Sequence, residues 1–524
     1  MKKIVGISLL IILISYFLLL LKYLMIEEIL GFYLIPIVLV TIVGTIVYLL
    51  IRIIKRISYK KFIIKSLLAA CTIQIVLLSL ILWSATPRYF SSEQLISDIN
   101  YAVKVAEDVH PNLYATIGKE DFLSKTDSIK KSLPEKISDA EAYKTLRRIF
   151  ALIQDGHTGG GWNFFSKRGA EAFRKTLPYK IDIRNERMFV SKNYFYRNTI
   201  PIGSEIIKIN RKPSYQCLQE VSQLISYEII PFRNSMLQTP MFWGLWNDYH
   251  NFEITFKTPD TKTIRTIRTS GSLISKILFF IDNKPYGKDY SYKTISGSLG
   301  YMEFNSFRDL GKFKTFLDST FKSIKAENVK SLIIDIRKNG GGSSSLGDEL
   351  MQYISKSNFR QFDLACVKIS SELVNKGILN WVDTSKRKIG TLYSFIDTSK
   401  IMLRDNPSRF DGQSYLLIGG KTFSSATNFA STFQCYGVGK IIGTETGGLT
   451  ACFGDVYTFE LPNTKLDMGV SYKKFINACG IYNKRGVIPD FIVDNSFEDD
   501  QKKVDRVLEF TIDLIKHGEN NHAQ

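Results

Sequence analysis

The sequence lacks several patterns that mark common binding sites. Its six cysteines include no C-x-x-C pair, which excludes the usual spacing of a thiolate metal site. The glycine triplet at 340–342 is not followed by Lys-Ser/Thr, so it is not a P-loop, and it does not match a dinucleotide fingerprint. No internal repeat or low-complexity tract is present. With 45% hydrophobic residues, the 524-residue chain has room for two or three globular domains, and we expect neither a metal nor an organic cofactor.

The chain also lacks a dominant basic block outside its first 85 residues. Of the net charge of +19, residues 1–85 contribute nine Lys/Arg and two Asp/Glu, or +7, which leaves +12 for the remainder. This remaining charge is scattered among many acidic residues, as on an ordinary solvated surface. We therefore expect no nucleic-acid partner.

Three uncharged apolar runs, at 4–21, 29–51 and 66–83, dominate the first 85 residues. Each is close to the roughly 20 residues that a helix needs to cross a bilayer, and no small-residue cleavage site follows the first run. Most basic residues of this region lie between the second and third runs. By the positive-inside rule this loop is cytoplasmic, which predicts three transmembrane helices in the cell (inner) membrane and an extracytoplasmic remainder.

An oxidising compartment would permit a disulfide bond. Cys452 and Cys479 are the pair that we would test first, although spacing alone does not determine connectivity.

The rest of the chain changes its periodicity twice. Residues 86–170 read as a helical domain, in which a capping box at Ser138 and Glu141 opens a helix expected to end at Gly156. Residues 171–290 alternate with period two and predict a β-rich, possibly PDZ-like module. Residues 291–500 alternate strands with helices, which predicts an α/β layered core, and 501–524 form a C-terminal helix and polar tail.

The segment 421–430, Lys-Thr-Phe-Ser-Ser-Ala-Thr-Asn-Phe-Ala, is the most informative part of this core. It follows a short apolar strand and precedes a helical pattern, but it lacks the G-x-S-x-G motif. Ser425 would lie at a helix start, where free backbone N–H groups can stabilise an oxyanion. A serine helix cap is the alternative interpretation.

Two other segments complete a possible site. Among five histidines, His157 stands in the glycine-rich stretch Asp-Gly-His-Thr-Gly-Gly-Gly at 155–161. The stretch 335–342, Asp-Ile-Arg-Lys-Asn-Gly-Gly-Gly, follows an apolar strand and could form an anion-binding nest. An ordinary loop histidine and a tight turn are the alternatives.

Taken together with 441–448 and 486–490, these segments resemble the S41 family of serine peptidases, over roughly residues 90–495. The resemblance implies a ClpP/crotonase-like spiral of β-β-α units. It also implies that Ser425, rather than Ser424, is the nucleophile, with Ala426 and either Gly341 or Gly342 as oxyanion donors. The bacterial processing branch has a lysine base where this chain has Leu449.

The Asp-Gly-His-Thr segment is similar to the histidine-using branch of that family, which makes His157 the expected general base. Where that branch tends to have a glutamate, this chain has Asn483. The group that orients the imidazole is therefore open between Asn483, Glu445 and none.

We accordingly expect a membrane-anchored serine endopeptidase that cleaves peptides or protein tails. A catalytically inactive binding module for peptides or apolar ligands on the same fold is the main alternative, and a serine esterase is a weaker one. The sequence does not specify the oligomeric state.

Overall fold

A computed structural model describes residues 88–522 of the chain, apart from 162–163, 165–173, 196–198, 247–248, 275, 278–287, 396–398 and 481–482. The three apolar runs of residues 1–85 lie outside the described residues. Among the described residues, no helix has both the length and the apolar composition needed to span a membrane. By contacts, the chain divides into two compact units, one of 89–162, 177–271 and 285–524 and the other of 1–88, 163–176 and 272–284.

The helices are α1 (Ser92–Val109), α2 (Lys119–Lys131), α3 (Asp139–Ala151), α4 (Ser214–Ser222), α5 (Ile230–Leu237), α6 (Pro240–Trp246), α7 (Leu310–Ala326), α8 (Ser345–Ile354), α9 (Ser371–Asn375), α10 (Ser425–Cys435), α11 (Phe497–Lys502) and α12 (Arg506–His522).

The strands are β1 (Tyr89–Ser91), β2 (Lys136–Ser138), β3 (Gly159–Gly160), β4 (Lys175–Thr176), β5 (Tyr179–Arg184), β6 (Arg187–Asn193), β7 (Glu205–Ile209), β8 (Lys212–Pro213), β9 (Asn251–Lys257), β10 (Ile264–Ser270), β11 (Ser272–Leu273), β12 (Tyr290–Ser296), β13 (Leu299–Phe304), β14 (Ser331–Asp335), β15 (Phe362–Lys368), β16 (Leu392–Ser394), β17 (Gln413–Ile418), β18 (Gly439–Gly443), β19 (Ala451–Glu460), β20 (Asp467–Asn477) and β21 (Phe491–Ile492).

Helix α3 begins as predicted but ends earlier than predicted. The Ser138 hydroxyl accepts a hydrogen bond from the Glu141 amide and so caps the helix. The helix ends at Ala151, and the left-handed residue that follows is Gln154, with φ 56°, so the prediction that Gly156 ends the helix is wrong. Gly156 is required for a different reason. A Cβ there would lie 3.0 Å from atoms of Glu228, Phe232 and Phe423.

The β-rich part contains the antiparallel sheet β10-β9-β7-β6-β5, with β8 paired to β7. Strand β5 shows the alternation of buried and half-buried residues that the sequence predicts for a sheet with one covered face. The loop before helix α5 contacts the histidine segment, since the Asp155 amide donates a hydrogen bond to the hydroxyl of Ser226 in this loop.

The α/β core contains the sheet β12-β13-β14-β17-β18-β21, which is parallel from β13 onward. All five residues of β14 are buried, as expected for a strand covered on both faces. One face packs side chains of α7, α8 and α10, and the other packs Val507 and Ile515 of α12. Because parallel strands end at the same edge, the loops after β14 and β17 lie side by side.

A further antiparallel sheet, β16-β15-β20-β19, carries the histidine segment. The short strand β3 pairs with β20, so that Gly159 lies opposite Gly469 and Gly160 opposite Met468. His157 is thus fixed two residues before a strand pairing that involves a distant part of the chain.

The disulfide bond joins Cys435 and Cys479, with 5.8 Å between their Cα atoms, so the predicted pairing of Cys452 with Cys479 is wrong. Cys452 is a buried free thiol whose strand register places it opposite Phe475, four residues before Cys479. Cys479 lies instead beside the end of helix α10.

We expect loss of this bond to lower the free energy of unfolding by about 2–4 kcal/mol, because the bond closes a long loop. The Cys435→Ser variant should melt at a lower temperature than wild type, and reductant should lower the melting temperature of wild type only. Cys366→Ala, which removes a buried free thiol, should keep the sensitivity to reductant. A wild-type melting temperature unaffected by reductant would contradict this prediction.

Candidate active site

The turn between β17 and α10 holds the serine pair in a constrained backbone. Thr422 is fully buried, and its carbonyl accepts hydrogen bonds from the amides of Gly447 and Gly448. Two residues later, Ser424 has φ 55° and ψ −129°, a conformation that non-glycine residues rarely adopt. A strained residue between a strand and a helix is the backbone arrangement that exposes a nucleophilic serine in other hydrolases.

The two serines differ in their surroundings. Ser425 is 5% exposed, and its hydroxyl donates to the Gly342 carbonyl at 2.6 Å and lies 2.9 Å from the Ser344 hydroxyl. Ser424 is half-buried and does not cap the helix. Within the described part of the chain its hydroxyl makes no hydrogen bond.

The glycine triplet packs directly against this turn. A Cβ on Gly341, whose φ is 100°, would lie 2.8 Å from both the Phe423 carbonyl oxygen and the Ser424 Cβ. Asn339 joins the two segments, because its side-chain oxygen accepts from the Gly341 amide and its backbone carbonyl accepts from the Phe423 amide. Glycine at 341 is therefore required both by its backbone conformation and by close approach.

The expected oxyanion donors are not equivalent. The Gly341 amide donates to Asn339 and the Ala426 amide donates to the Phe423 carbonyl, so both are already engaged. The amides of Gly342 and Ser425 donate no hydrogen bond to any described residue. Of these amides, the free one of Ser425 directly follows Ser424, and the free one of Gly342 belongs to the residue whose carbonyl accepts from the Ser425 hydroxyl.

His157 lies against the same turn but makes no hydrogen bond to either serine. Its ring stacks on Phe423 with 4.6 Å between centroids, and Phe423 stacks in turn on Phe232 at 4.3 Å. Both ring nitrogens are buried and have no hydrogen-bond partner among the described residues. Burial lowers the pKa of His157 and outweighs the opposing effects of the Asp155 and Asp455 charges. The imidazole is therefore neutral and available as a base at neutral pH.

Asp155, two residues before His157, is a buried carboxylate that the sequence interpretation did not assign to the site. Burial alone would raise its pKa, but the hydrogen bonds that the carboxylate accepts from His110 and Ser471 hold that pKa well below its usual range. Its Oδ1 accepts from the His157 amide at 3.0 Å and lies 3.8 Å from His157 Nδ1.

Glu228 is a second carboxyl near His157, and no sequence motif points to it. Its Oε2 is buried with no hydrogen-bond partner among the described residues, and it faces Gly156. Burial, reinforced by the Asp155 charge, raises the pKa of Glu228 to about 8. At neutral pH this carboxyl therefore holds a proton. In the sequence, only the apolar residues on either side of Glu228 indicate that this side chain is buried.

The two residues considered as partners of His157 are engaged elsewhere. Glu445 accepts from Arg485 Nε and Nη2, both at 2.8 Å, and from the Gly486 amide. Asn483 is exposed, and its side-chain oxygen accepts from the Arg485 amide.

Comparison with known proteins finds a family model that matches this core. Residues 298–493 match the model of Peptidase family S41. The structure of mature CPAF complexed with lactacystin is 14% identical and has a TM-score of 0.60, covering 81% of this chain and 99% of that chain. Mature CPAF alone is 12% identical with a TM-score of 0.57, over 78% and 94% of the two chains. At these identities the likenesses establish the mixed α/β fold alone. No curated protein matches the sequence.

Gly341→Ala should slow covalent labelling of the active-site serine by a fluorophosphonate at least about 100-fold, because the new Cβ would displace the turn and the amides beside it. Gly340→Ala is the matched control, since a Cβ there meets no atom within 4 Å, and we expect it to stay within about threefold of wild type. Equal labelling rates for the two variants would contradict this role for Gly341.

Glu228→Gln should stabilise the fold increasingly as the pH rises. The folded protein keeps a proton on Glu228 up to about pH 8, whereas the unfolded chain loses it near 4.5, so this group costs stability progressively between those values. The melting temperature of the variant should match that of wild type near pH 4.5 and exceed it at pH 8. The exposed Glu135→Gln serves as the control, and a Glu228→Gln difference that does not vary with pH would refute the assignment.

Proposed function

We propose that this chain, whose residues 298–493 form a serine peptidase domain of family S41, is a membrane-anchored endopeptidase that cleaves peptides or protein tails through an acyl-enzyme. The observation that carries the proposal is the strained serine turn, which contains the free amide of Ser425, contacts Gly342 with its free amide, and packs against a buried neutral histidine. This combination supplies a nucleophile, an oxyanion site and a base.

The geometry favours Ser424 as the nucleophile over Ser425, which the sequence favoured. Ser424 has the strained backbone and the unbonded, partly accessible hydroxyl, whereas the Ser425 hydroxyl is buried and bonded to Gly342. The amide that follows Ser424 is also free, while the amide that follows Ser425, that of Ala426, is engaged. An oxyanion site commonly uses the amide directly after the nucleophile. Ser425 is kept as the alternative.

In the proposed reaction, the serine oxygen attacks the scissile carbonyl carbon while His157 takes the proton of the serine hydroxyl. The amides of Ser425 and Gly342 would stabilise the tetrahedral oxyanion. His157 then gives the proton to the leaving amine, and the C–N bond breaks to leave an acyl-serine. Water hydrolyses this ester after His157 removes one of its protons, and the proton returns to the serine.

The base must change its position before this reaction. Because the His157 nitrogens make no hydrogen bond to a described residue and the ring stacks on Phe423, a rotation of the imidazole must precede proton transfer. We propose that substrate binding beside Phe423 favours this rotation.

Two features support the proposed location on the far side of the membrane. The apolar runs within residues 1–85 and the basic loop between the second and third predict three spans with this orientation. The disulfide bond between Cys435 and Cys479 is typical of an oxidising compartment.

One observation favours a catalytically inactive binding module as the second candidate. The unpaired His157 nitrogens are what such a module would also contain. A serine esterase would share the same acyl-enzyme, since the mechanism does not require an amide.

Fluorophosphonate labelling of the full-length chain in detergent separates an acyl-enzyme mechanism from the binding module, and peptide cleavage separates the peptidase from the esterase. Wild type should be labelled, Ser424→Ala should not, and His157→Ala should react at least about 100-fold more slowly. Ser425→Ala should keep Ser424-dependent labelling. Labelling that is lost only in Ser425→Ala would assign the nucleophile to Ser425. No serine-dependent labelling and no peptide cleavage would favour the binding module.

A further inference from the structure

We infer that Asp155 is the carboxylate that positions His157 as the general base, and that His110 fixes Asp155 in this role. The inference rests on the proposed function. It assigns the orienting group that the sequence left open between Asn483, Glu445 and none.

Asp155 is held by three side-chain donors to its carboxylate and by one bond from its own amide. Its Oδ2 accepts from His110 Nε2 at 3.2 Å, Thr158 Oγ1 at 2.5 Å and Ser471 Oγ at 2.6 Å. Its own amide donates to the Ser226 hydroxyl at 2.9 Å. Only 2% of its side chain is exposed. The carboxylate therefore has one defined orientation.

The second oxygen, Oδ1, retains capacity for one more hydrogen bond. It accepts one hydrogen bond, from the His157 amide at 3.0 Å, and a carboxylate oxygen has two lone pairs. The Nδ1 atom of His157 lies 3.8 Å from this oxygen. A small rotation of the imidazole shortens this distance to hydrogen-bond range.

That contact would select the tautomer that catalysis needs. If Nδ1–H donates to Asp155, then Nε2 carries no proton and can accept one from the serine. The negative charge of Asp155 would also stabilise the imidazolium that forms as the serine attacks. A single rotation of the imidazole would thus both activate the base and form its hydrogen bond to Asp155.

His110 keeps the charge on Asp155. Its Nδ1 accepts the Asn112 amide at 3.0 Å, so the ring proton is on Nε2 and is donated to Asp155 Oδ2. His110 is 1% exposed and packs against Phe453, with 4.4 Å between ring centroids. His110 thus donates a hydrogen bond to Asp155 and leaves on Asp155 the negative charge that His157 requires.

The other charged or titratable groups near this pair do not replace Asp155. Glu228, from the loop before α5, holds a proton at neutral pH and is no anionic partner. Asp455 of β19 forms an ion pair with Lys473. The Cys452 thiol on the same strand is buried, which raises its pKa and keeps it neutral.

The test is the fluorophosphonate labelling rate of the full-length chain as a function of pH. Asp155→Asn should be labelled at least about 100-fold more slowly than wild type at pH 7, as for the equivalent substitution in a serine triad. Because the Asp155 charge raises the pKa of His157, its loss should also move the acid limb of the profile to lower pH. Asp155→Asn should cost nothing further in a His157→Ala background, since it acts through that residue.

Asp455→Asn is the matched control, because it removes a nearby charge that has no bond to the histidine loop, and it should stay within about threefold of wild type. Asp155→Ala is a second variant, which removes the charge without adding a donor opposite His110 and Ser471. An Asp155→Asn rate within threefold of wild type, with an unchanged acid limb, would overturn the inference. So would a failure of both Asp155 variants to fold, as judged by melting, since Asp155 would then belong to the fold alone.

Absence of labelling in wild type itself would overturn the proposed function and this inference together. Failure of the inference alone is distinct, because wild type would then be labelled and Ser424→Ala would not.

Discussion

The backbone strain at Ser424 is the constraint on which the site depends. Holding a non-glycine residue at φ 55° and ψ −129° costs on the order of 1–3 kcal/mol, and the surrounding contacts must supply that energy. They come from the buried Thr422 carbonyl, which accepts two amides, and from Gly341, which leaves space for the turn. Three features accompany this strain: the Ser424 hydroxyl has no hydrogen bond to a described residue, nor has the Ser425 amide, and Phe423 stacks on His157.

The base is built by a second, separate network centred on Asp155. The Asp155 carboxylate connects the end of α1 through His110 and the strand β20 through Ser471, and the Asp155 amide connects the loop before α5 through Ser226. The serine turn depends on the α/β core, whereas the histidine depends on the helical region and the sheet that contains β20. Phe423 is where the two networks meet, since its ring stacks on the imidazole. Catalysis in this arrangement requires a change at that one contact.

The sequence predicted the parts of this structure that depend on local patterns. Strand β5 shows the predicted alternation, and the serine segment, the glycine triplet and the histidine segment meet in space as the family resemblance implied. The family resemblance implied Ser425, but the torsion at Ser424 could not be predicted, because local patterns place either serine at a helix start and Ser424 packs against Gly341, 83 residues earlier in the chain. Contacts between distant segments likewise determine the end of α3, the disulfide pairing and the burial of Glu228. Periodicity and capping patterns do not report such contacts.

The central claim is that the strained residue of the turn is the one that forms the acyl-enzyme. Tandem mass spectrometry of the fluorophosphonate adduct tests it directly, because fragment ions within the peptide containing residues 422–430 distinguish the two adjacent serines. The account predicts the adduct on Ser424. An adduct on Ser425, or on a residue outside this turn, would contradict it.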